Sequence, residues 1–587
     1  MRVKIEKAKE LFVFKLFREA KIGRVKVILL LLFIALQMGG TLYLPTLTAD
    51  IINNGVMLGD QEYVLRIGVI MLCVATLTGI VSILGTYFSA EVTTIFAKNT
   101  RKKLFNHIQT FSLQDFHKFK TASLITRATN DIEQLQSTFS MFFEIIIPAP
   151  FIILIGMFLA YSKDPYMAFI IFIASVILVI ALGLIAKTIF PLFDRVQKGL
   201  DKINDKVSQY ISGIRVIRAF NRTELEQEQV NAAFTDLATI NIKINRIFAV
   251  LMPFVYLVMN IATVAIVWFG GIRISSENMQ VGDFVAVIAY AINILMYLLM
   301  AAFVVAYIPR AKVCAARIHE VLEYNPEMSD GEEKLHDNSD LSLEFRDVSF
   351  AYNDAENPVL HNISFLCKQG TTTAIIGGTG SGKSTIAKLI PRFLDATKGN
   401  ILLNGCDIRA LSQRELRQTI GFVPQRAFLF SGSIADNLRH GNKEAGLLEM
   451  QYAAKIAQVE DFIEELEGGF DAPVAQGGKN FSGGQRQRLA IARMLMKKPG
   501  IYVFDDSFSA LDFKTDAALR MALKDVTREA IVIYIAQRIG TIKDADQIIV
   551  LDNGKIAGIG THHELLKNCE MYLEIAKSQF SEEELQQ

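Results

Sequence analysis

Cysteine is scarce and scattered. The 587 residues hold five, Cys73, Cys314, Cys367, Cys406 and Cys569, with no C-x-x-C pair among them. That removes a disulfide framework and a thiolate metal site as organising features, and leaves reduced or buried thiols. Net charge is scarce too. Sixty-one Lys and Arg offset 60 Asp and Glu, a formal +1, so composition makes no case for nucleic acid as a partner. Met1 to Lys26 reads as too long and too charged for a cleavable leader. Glycine and proline are absent from Glu91 to Phe139, where charged and apolar residues interleave at helical spacing.

What is plentiful is apolar sequence. Half the residues are hydrophobic (51%) and 40 are Phe, yet 21% are charged, which fits a chain that segregates the two kinds. The basic start interleaves Lys15, Arg18 and Lys21 with Leu11, Phe12, Phe14, Leu16 and Phe17. It reads as an interfacial helix on the cytoplasmic leaflet, with a disordered basic tail as the alternative. Six apolar segments follow, at about Val25–Pro45, Tyr63–Tyr87, Met141–Tyr161, Tyr166–Ile189, Ile247–Gly270 and Val281–Tyr307. Each is close to the ~20 residues that cross a bilayer. The links within successive pairs are short and neutral or acidic. The connections from the second to the third and from the fourth to the fifth are long and carry Lys98, Arg101, Lys102, Lys103, Lys198, Lys202, Arg215 and Arg218. The positive-inside rule puts both long connections and both chain ends in the cytosol, with the spanning helices continuing into it. Phe111–Phe119 and Tyr210–Phe220, near their turns, read as short amphipathic pieces for docking on another domain, or as solvated turns.

Tyr324 to Asp340 is polar, acidic and rich in turn formers, so it reads as a linker. Beyond it strand and helix alternate, the pattern of an α/β domain. There Gly377-Gly378-Thr379-Gly380-Ser381-Gly382-Lys383-Ser384-Thr385 fits G-x-x-x-x-G-K-[ST]. Glycines let successive backbone N–H groups converge on phosphate oxygens, Lys383 reaches the β- and γ-phosphates, and the Ser384 hydroxyl suits Mg²⁺. Thr371–Ile376 reads as the preceding strand and Thr385–Phe393 as the following helix. Ile501–Asp505 reads as a buried strand carrying Asp505 to the same edge, where it can hold Mg²⁺. Ser482 and Gly483 start a further helix whose N–H groups suit phosphate.

Phe481-Ser482-Gly483-Gly484-Gln485 resembles the signature of ATP-binding cassette (ABC) proteins. With the P-loop, Asp505 and six preceding spans, nearly the whole chain resembles a half-transporter of the ABC exporter family, in particular the degenerate-site subunit of bacterial heterodimeric multidrug exporters. The resemblance implies a multi-pass α-helical membrane domain of six transmembrane helices followed by an α/β P-loop nucleotide-binding domain. Its expected divisions are 1–323 for the membrane domain with cytosolic extensions, 324–340 for the linker, 341–580 for the cassette and 581–587 for a tail. It implies ATP and Mg²⁺ as cofactors, with Ser384, Gln425 and Asp505 at the metal, Tyr352 on adenine, and Asp512 in a loop that communicates across a head-to-tail dimer.

Two positions depart from the family. Asp506 stands where a Glu usually polarises the attacking water, and Gln537 where a histidine contacts the γ-phosphate. A carboxylate one methylene short falls back by roughly an ångström, which can cost on the order of 10²-fold in rate. An amide cannot carry a proton. The expectation is a half-site that retains ATP and hydrolyses it poorly, beside an intact signature that completes the site of a partner half-transporter with Glu and His. The expected setting is the plasma membrane and the expected cargo a hydrophobic or cationic small molecule. A homodimeric ATP-gated protein and a lipid or peptide exporter subunit are the alternatives. Gln37, Glu144, Asn260, Tyr290, Asn293 and Tyr297 are the polar candidates within the spans. Phe142, Phe143 and Phe151 add an aromatic wall. Glu144 suits a cationic compound, but the plainer expectation is a Lys or Arg partner at the membrane edge.

Overall fold

The computed structural model describes residues 12–580, except 14, 306, 336–339 and 353–356 and the side chains of 190 and 194. The first eleven residues of the basic start, part of the linker and the acidic end at 581–587 lie outside the described residues. The chain divides into two compact units, Met1–Thr110 with Phe119–Asn325, and Phe111–Lys118 with Pro326–Gln587.

The first unit holds six helices long and apolar enough to cross a membrane: Arg24–Val56, Gln61–Ile108, Thr121–Lys163, Pro165–Ser212, Thr223–Ser275 and Val281–Glu323. Four are 43 residues or longer beyond the first two, and the fifth reaches 53, so helix continues well past the length a bilayer needs. The two charged connections are that continuation, the first without glycine or proline and the second with Pro191 inside its helix. Carboxylates cap the short-link ends: Asp60 accepts from Tyr63 N (2.9 Å), and Asp164 from Tyr166 N (2.8 Å) and Met167 N (3.1 Å). Leu30, Ile34, Met38 and Leu42 recur at helical spacing and bury one face of the first span. Gly156 lets the third span approach the sixth, since a Cβ there would meet Ile294 Cδ1 at 3.0 Å. Tyr290 is fully buried and shares a hydrogen bond with Thr46 (2.7 Å), tying the sixth span to the first. Pro148 opens a helical stretch at its first turn rather than kinking it, while Pro253 lies inside the fifth span.

The basic start departs from the interfacial reading. Leu16 is buried, and Phe17 stacks among Phe96, Phe139 and Phe143, rings carried by the second and third spans. Lys15 pairs with Glu323, and Lys103 with Glu19. Protein rather than lipid takes up the apolar face, because the long extensions offer apolar surface of their own.

The second unit is built on strands β1 (Ser342–Phe350), β2 (Leu360–Lys368), β3 (Thr372–Gly377), β4 (Lys398–Leu403), β5 (Cys406–Asp407), β6 (Ile420–Val423), β7 (Gly432–Ser433), β8 (Pro473–Val474), β9 (Ile501–Asp505), β10 (Ile531–Ile535), β11 (Gln547–Asp552) and β12 (Lys555–Gly560). The central sheet runs β12-β11-β3-β10-β9-β6. Its β11, β3, β10, β9 and β6 are parallel, and β12 is an antiparallel edge. Continuous apolar strands such as Ile501-Tyr502-Val503-Phe504 are what a sheet covered on both faces demands. A second sheet, β2-β1-β4-β5, flanks it. Phe111–Lys118 clusters with this unit, its turn closed by Ser112 and Asp115, which accept each other's backbone N–H. The second amphipathic piece stays with the membrane unit and leaves Ile211, Val216 and Phe220 exposed.

Asp164 is almost fully buried and receives Arg273 Nε and Nη2, both at 2.7 Å, linking the turn between the third and fourth spans to the fifth. Removing one partner of a buried pair strands the other charge, at about 3–5 kcal/mol. Asp164→Ala is expected to lower the melting temperature of the detergent-purified protein by several degrees, and an unchanged melting curve would refute the pair's structural weight.

Candidate functional site

The site grows from β3. Its run Thr372–Gly377 is buried over all but the first residue, and the chain then turns through Gly380 (φ 84°) and Gly382 (φ 97°). Both angles are left-handed, which glycine adopts without strain. Gly382 caps the helix Lys383–Leu389, which starts earlier than the sequence spacing implies and stops before Arg392, itself at φ 51°. The loop amides therefore converge at a helix N-terminus, a geometry that favours anions. Lys383 Nζ donates to Gly377 O and Gly378 O, each at 2.7 Å. Burial pushes its ammonium below the usual lysine range, and the nearby Asp506 and Asp505 pull it back.

Asp505 ends β9 at 3% exposure, and Ser384 Oγ donates to its Oδ1 at 2.9 Å. Hydroxyl and carboxylate oxygens side by side fit a hard divalent cation such as Mg²⁺. Such an ion, when bound, would neutralise phosphate charge there. Asp506 follows at φ 48°, in the left-handed region rare for a non-glycine residue, with its N–H held by Ile535 O (2.9 Å). Its Oδ2 accepts from Gln425 Nε2 (3.0 Å) and from Gln537 Nε2 (3.1 Å). Burial raises both carboxyls above their ordinary range. For Asp505 the Ser384 hydrogen bond opposes this; for Asp506 the Gln425 hydrogen bond does so first, then Lys383.

The other sequence-predicted positions fall in two further places. Tyr352 packs edge-to-face on Phe350 and lies 3.4 Å through its hydroxyl from Thr385 Oγ1. It lines a cavity of about 580 Å³ with Leu113, His117, Lys388 and Leu394. Ser482 caps the helix Gly483–Leu495 in a reciprocal box with Gln485, while Phe481 is buried against Phe462. Ser482 and Gly483 are exposed, and no hydrogen bond joins the signature to the P-loop among the described residues. Asp512 caps Phe513–Val526 through Thr515 N (3.0 Å).

Sequence reasoning missed three supporting residues. Gln487 Nε2 and Ser507 Oγ bond to Pro424 O and Val423 O, fixing the segment that carries Gln425. Gln579, far along the chain, donates to Gln537 O at 2.7 Å and accepts from Ile539 N at 2.8 Å. No motif marks it.

Comparison with known proteins decides the family. The model for the ABC transporter transmembrane region matches residues 27–299, and the ABC transporter model matches 360–509. An uncharacterized ABC transporter ATP-binding protein of Mycobacterium tuberculosis (strain CDC 1551 / Oshkosh) is 40% identical, over 92% of this chain and 93% of its own. The chain belongs to the ABC exporter family. The exporter's fold is that of a solved bacterial Atm1-family ABC exporter with ATP bound, at TM-score 0.81 and 26% identity over 95% of this chain and all of that one. An ATP-dependent lipid A-core flippase of Mannheimia succiniciproducens is 30% identical over 96% of both chains. The exporter is thus a half-transporter that fuses a membrane region to an ATP-binding domain, in a family that works as dimers.

The raised carboxyl of Asp505 carries a sign. The folded state holds its proton to higher pH than the unfolded chain, so stability is fullest below about pH 4 for this group and is lost as pH rises through the folded value. At neutral pH its charge therefore costs the exporter stability. Asp505→Asn is expected to raise the melting temperature of the nucleotide-free protein, by about 2–4 °C per ~1 kcal/mol relieved, and to abolish the extra rise produced by Mg²⁺ and ATP. A lowered melting point without nucleotide would contradict the assignment.

Proposed function

We propose that this chain is one half of a heterodimeric, ATP-driven exporter of hydrophobic or cationic small molecules, and that its own P-loop half-site retains ATP and hydrolyses it slowly. One observation carries the reading. The carboxylate that follows Asp505 is the short Asp506, and it is engaged by two amides, Gln425 and Gln537, rather than standing beside an imidazole. Neither amide can shuttle a proton. Everything needed to hold Mg²⁺ and ATP is at hand in Lys383, Ser384, Asp505 and Tyr352, so binding and hydrolysis are separated.

On this reading residues 1–323 form the membrane domain, 324–340 the linker and 341–580 the cassette. The chain sits in the plasma membrane with both termini cytosolic, as its charge asymmetry favours. Its signature, Phe481 to Gln485, caps the partner's competent P-loop, and the partner carries Glu and His at the positions of Asp506 and Gln537. ATP favours the state in which the cassettes close, so its binding shifts the membrane helices through differential affinity for that state. Phe111–Phe119 and the exposed Ile214–Ala219 are the pieces suited to transmit the shift. A lipid exporter is the second reading, favoured by the resemblance to proteins named as lipid A-core flippases.

The test is ATPase activity of the chain alone and with its partner half-transporter. The chain alone is expected to hydrolyse slowly. Asp506→Glu with Gln537→His is expected to raise that rate at least about tenfold, part of the ~10² a misplaced carboxylate costs. A homodimer with ordinary family turnover, or no gain from the double variant, would sink the proposal.

A further inference from the structure

Glu144 is a charged group within an apolar span, and its surroundings differ from the expected ion pair. It lies in a wide π turn, Phe142–Ile146, closed by Ile147 N to Phe142 O at 2.9 Å, five residues back. A π turn inserts an extra residue and re-aims its neighbours, and such turns are frequent at functional sites. Here Phe143 is turned inward to 5% exposure, and Glu144 faces out of the chain. Its one side-chain hydrogen bond among the described residues is from Ser89 Oγ to Oε1 at 3.4 Å. No Lys, Arg or His pairs with it among the described residues, and the neighbouring Glu91 already takes Lys26.

Glu144 ends a polar seam between the second and third spans. Gln136 Nε2 donates to Thr94 Oγ1 (3.4 Å), Ser140 Oγ to Thr93 Oγ1 (3.3 Å), and Ser89 to Glu144 one step further on. Beyond Glu144 the same exposed face turns aromatic. Phe151 and Phe158 follow at seven-residue spacing, two helical turns apart, and both are exposed. Nineteen residues separate Glu144 from Lys163 at the short link, about 28 Å of helix at ~1.5 Å per residue. A hydrocarbon core is about 30 Å thick, so the carboxylate stands at its far boundary. An unpaired carboxylate at that boundary is hydrated and open to a cationic partner. Below it the face is polar, and above it the face is apolar.

We propose that Glu144 is the head-group subsite for an amphiphile bearing an ammonium cation, with the apolar body laid along Phe151 and Phe158. The proposal rests on the exporter reading above, which puts this boundary at the inner leaflet. It makes Glu144 the residue that selects cationic over neutral cargo. An ammonium supplies the missing charge and a charge-assisted hydrogen bond to Oε2, and the rings accept the apolar body. The ammonium has two sources, a dissolved cationic amphiphile or the head group of an aminophospholipid.

The experiment uses the full chain in nanodiscs of phosphatidylglycerol with phosphatidylcholine, without nucleotide, and a fluorophore-labelled alkylamine as probe, beside its neutral alcohol analogue. Glu144→Gln is expected to weaken the amine about tenfold or more, the scale of a charged hydrogen bond, and to leave the alcohol unchanged. Glu144→Asp is expected to retain part of the affinity. Amine binding within twofold of wild type in Glu144→Gln would overturn the proposal, as would an equal loss of the alcohol. Replacing phosphatidylcholine by phosphatidylethanolamine distinguishes the sources: competition that Glu144→Gln abolishes identifies the lipid head group, and unaltered amine binding identifies the dissolved amphiphile. Binding is read without ATP, so slow or absent heterodimer transport would count against the exporter reading and leave this subsite standing.

Discussion

Asp505 is buried at the carboxyl end of β9, and Ser384 at 2.9 Å is the one hydrogen-bond donor to its carboxylate among the described residues. A parallel sheet covered on both faces forces this position inside, and a single hydroxyl does not repay the desolvation of a carboxylate. The rest of the cassette is arranged around that deficit. β3 and β9 flank β10, so the P-loop and Asp505 open on one edge of the sheet. Lys383 is drawn towards the same edge and satisfies itself on the loop carbonyls of Gly377 and Gly378. Opposite charges are thus held near one another, Asp505 on a single hydroxyl and Lys383 on neutral oxygens. A ligand that brought a cation to Asp505 and anionic oxygens to Lys383 would give each an opposite charge.

Much of this was legible in residue order. The six spans follow from unbroken apolar runs, and the first helical extension from charged sequence without glycine or proline. Strand Ile501–Asp505 and the capped helix after Ser482 follow from local chemistry that no tertiary contact overrides. The limits also have physical causes. Apolar residues in the basic start looked equally suited to lipid and to protein, and only the packing of Phe17 among Phe96, Phe139 and Phe143 decides between them. The outward aim of Glu144 depends on one wide helical turn, and a π turn has no sequence signature at that length. Gln579 reaches Gln537 across 42 positions of sequence, a distance at which side-chain pairing leaves no periodic trace.

These polar contacts join into a line. Gln487 and Ser507 fix the backbone that carries Gln425; Gln425 and Gln537 meet on Asp506; Gln579 fixes the backbone at Gln537. Signature helix, P-loop edge and the turn after the C-terminal helix are therefore linked by hydrogen bonds through one carboxylate oxygen. Each link is an ordinary neutral or singly charged hydrogen bond of about 1–3 kcal/mol. Such links are weak enough for a bound triphosphate to rearrange and numerous enough to hold one arrangement without it.

The two departures from the family pattern are also chemically dependent on each other. Asp506 leaves β9 at φ 48°, which fixes where its short side chain ends, and Oδ2 there is within reach of two amides. A glutamate would carry its carboxylate a methylene further, beyond the point at which Gln425 and Gln537 converge. An imidazole at 537 is rigid past its second torsion and lacks the three-torsion reach by which Gln537 arrives. Changing either residue alone breaks the hydrogen bond between Gln537 and Asp506 Oδ2. Changing both restores a matched pair of a different kind. The short carboxylate and the two amides thus form one matched set, in which the position of each depends on the others.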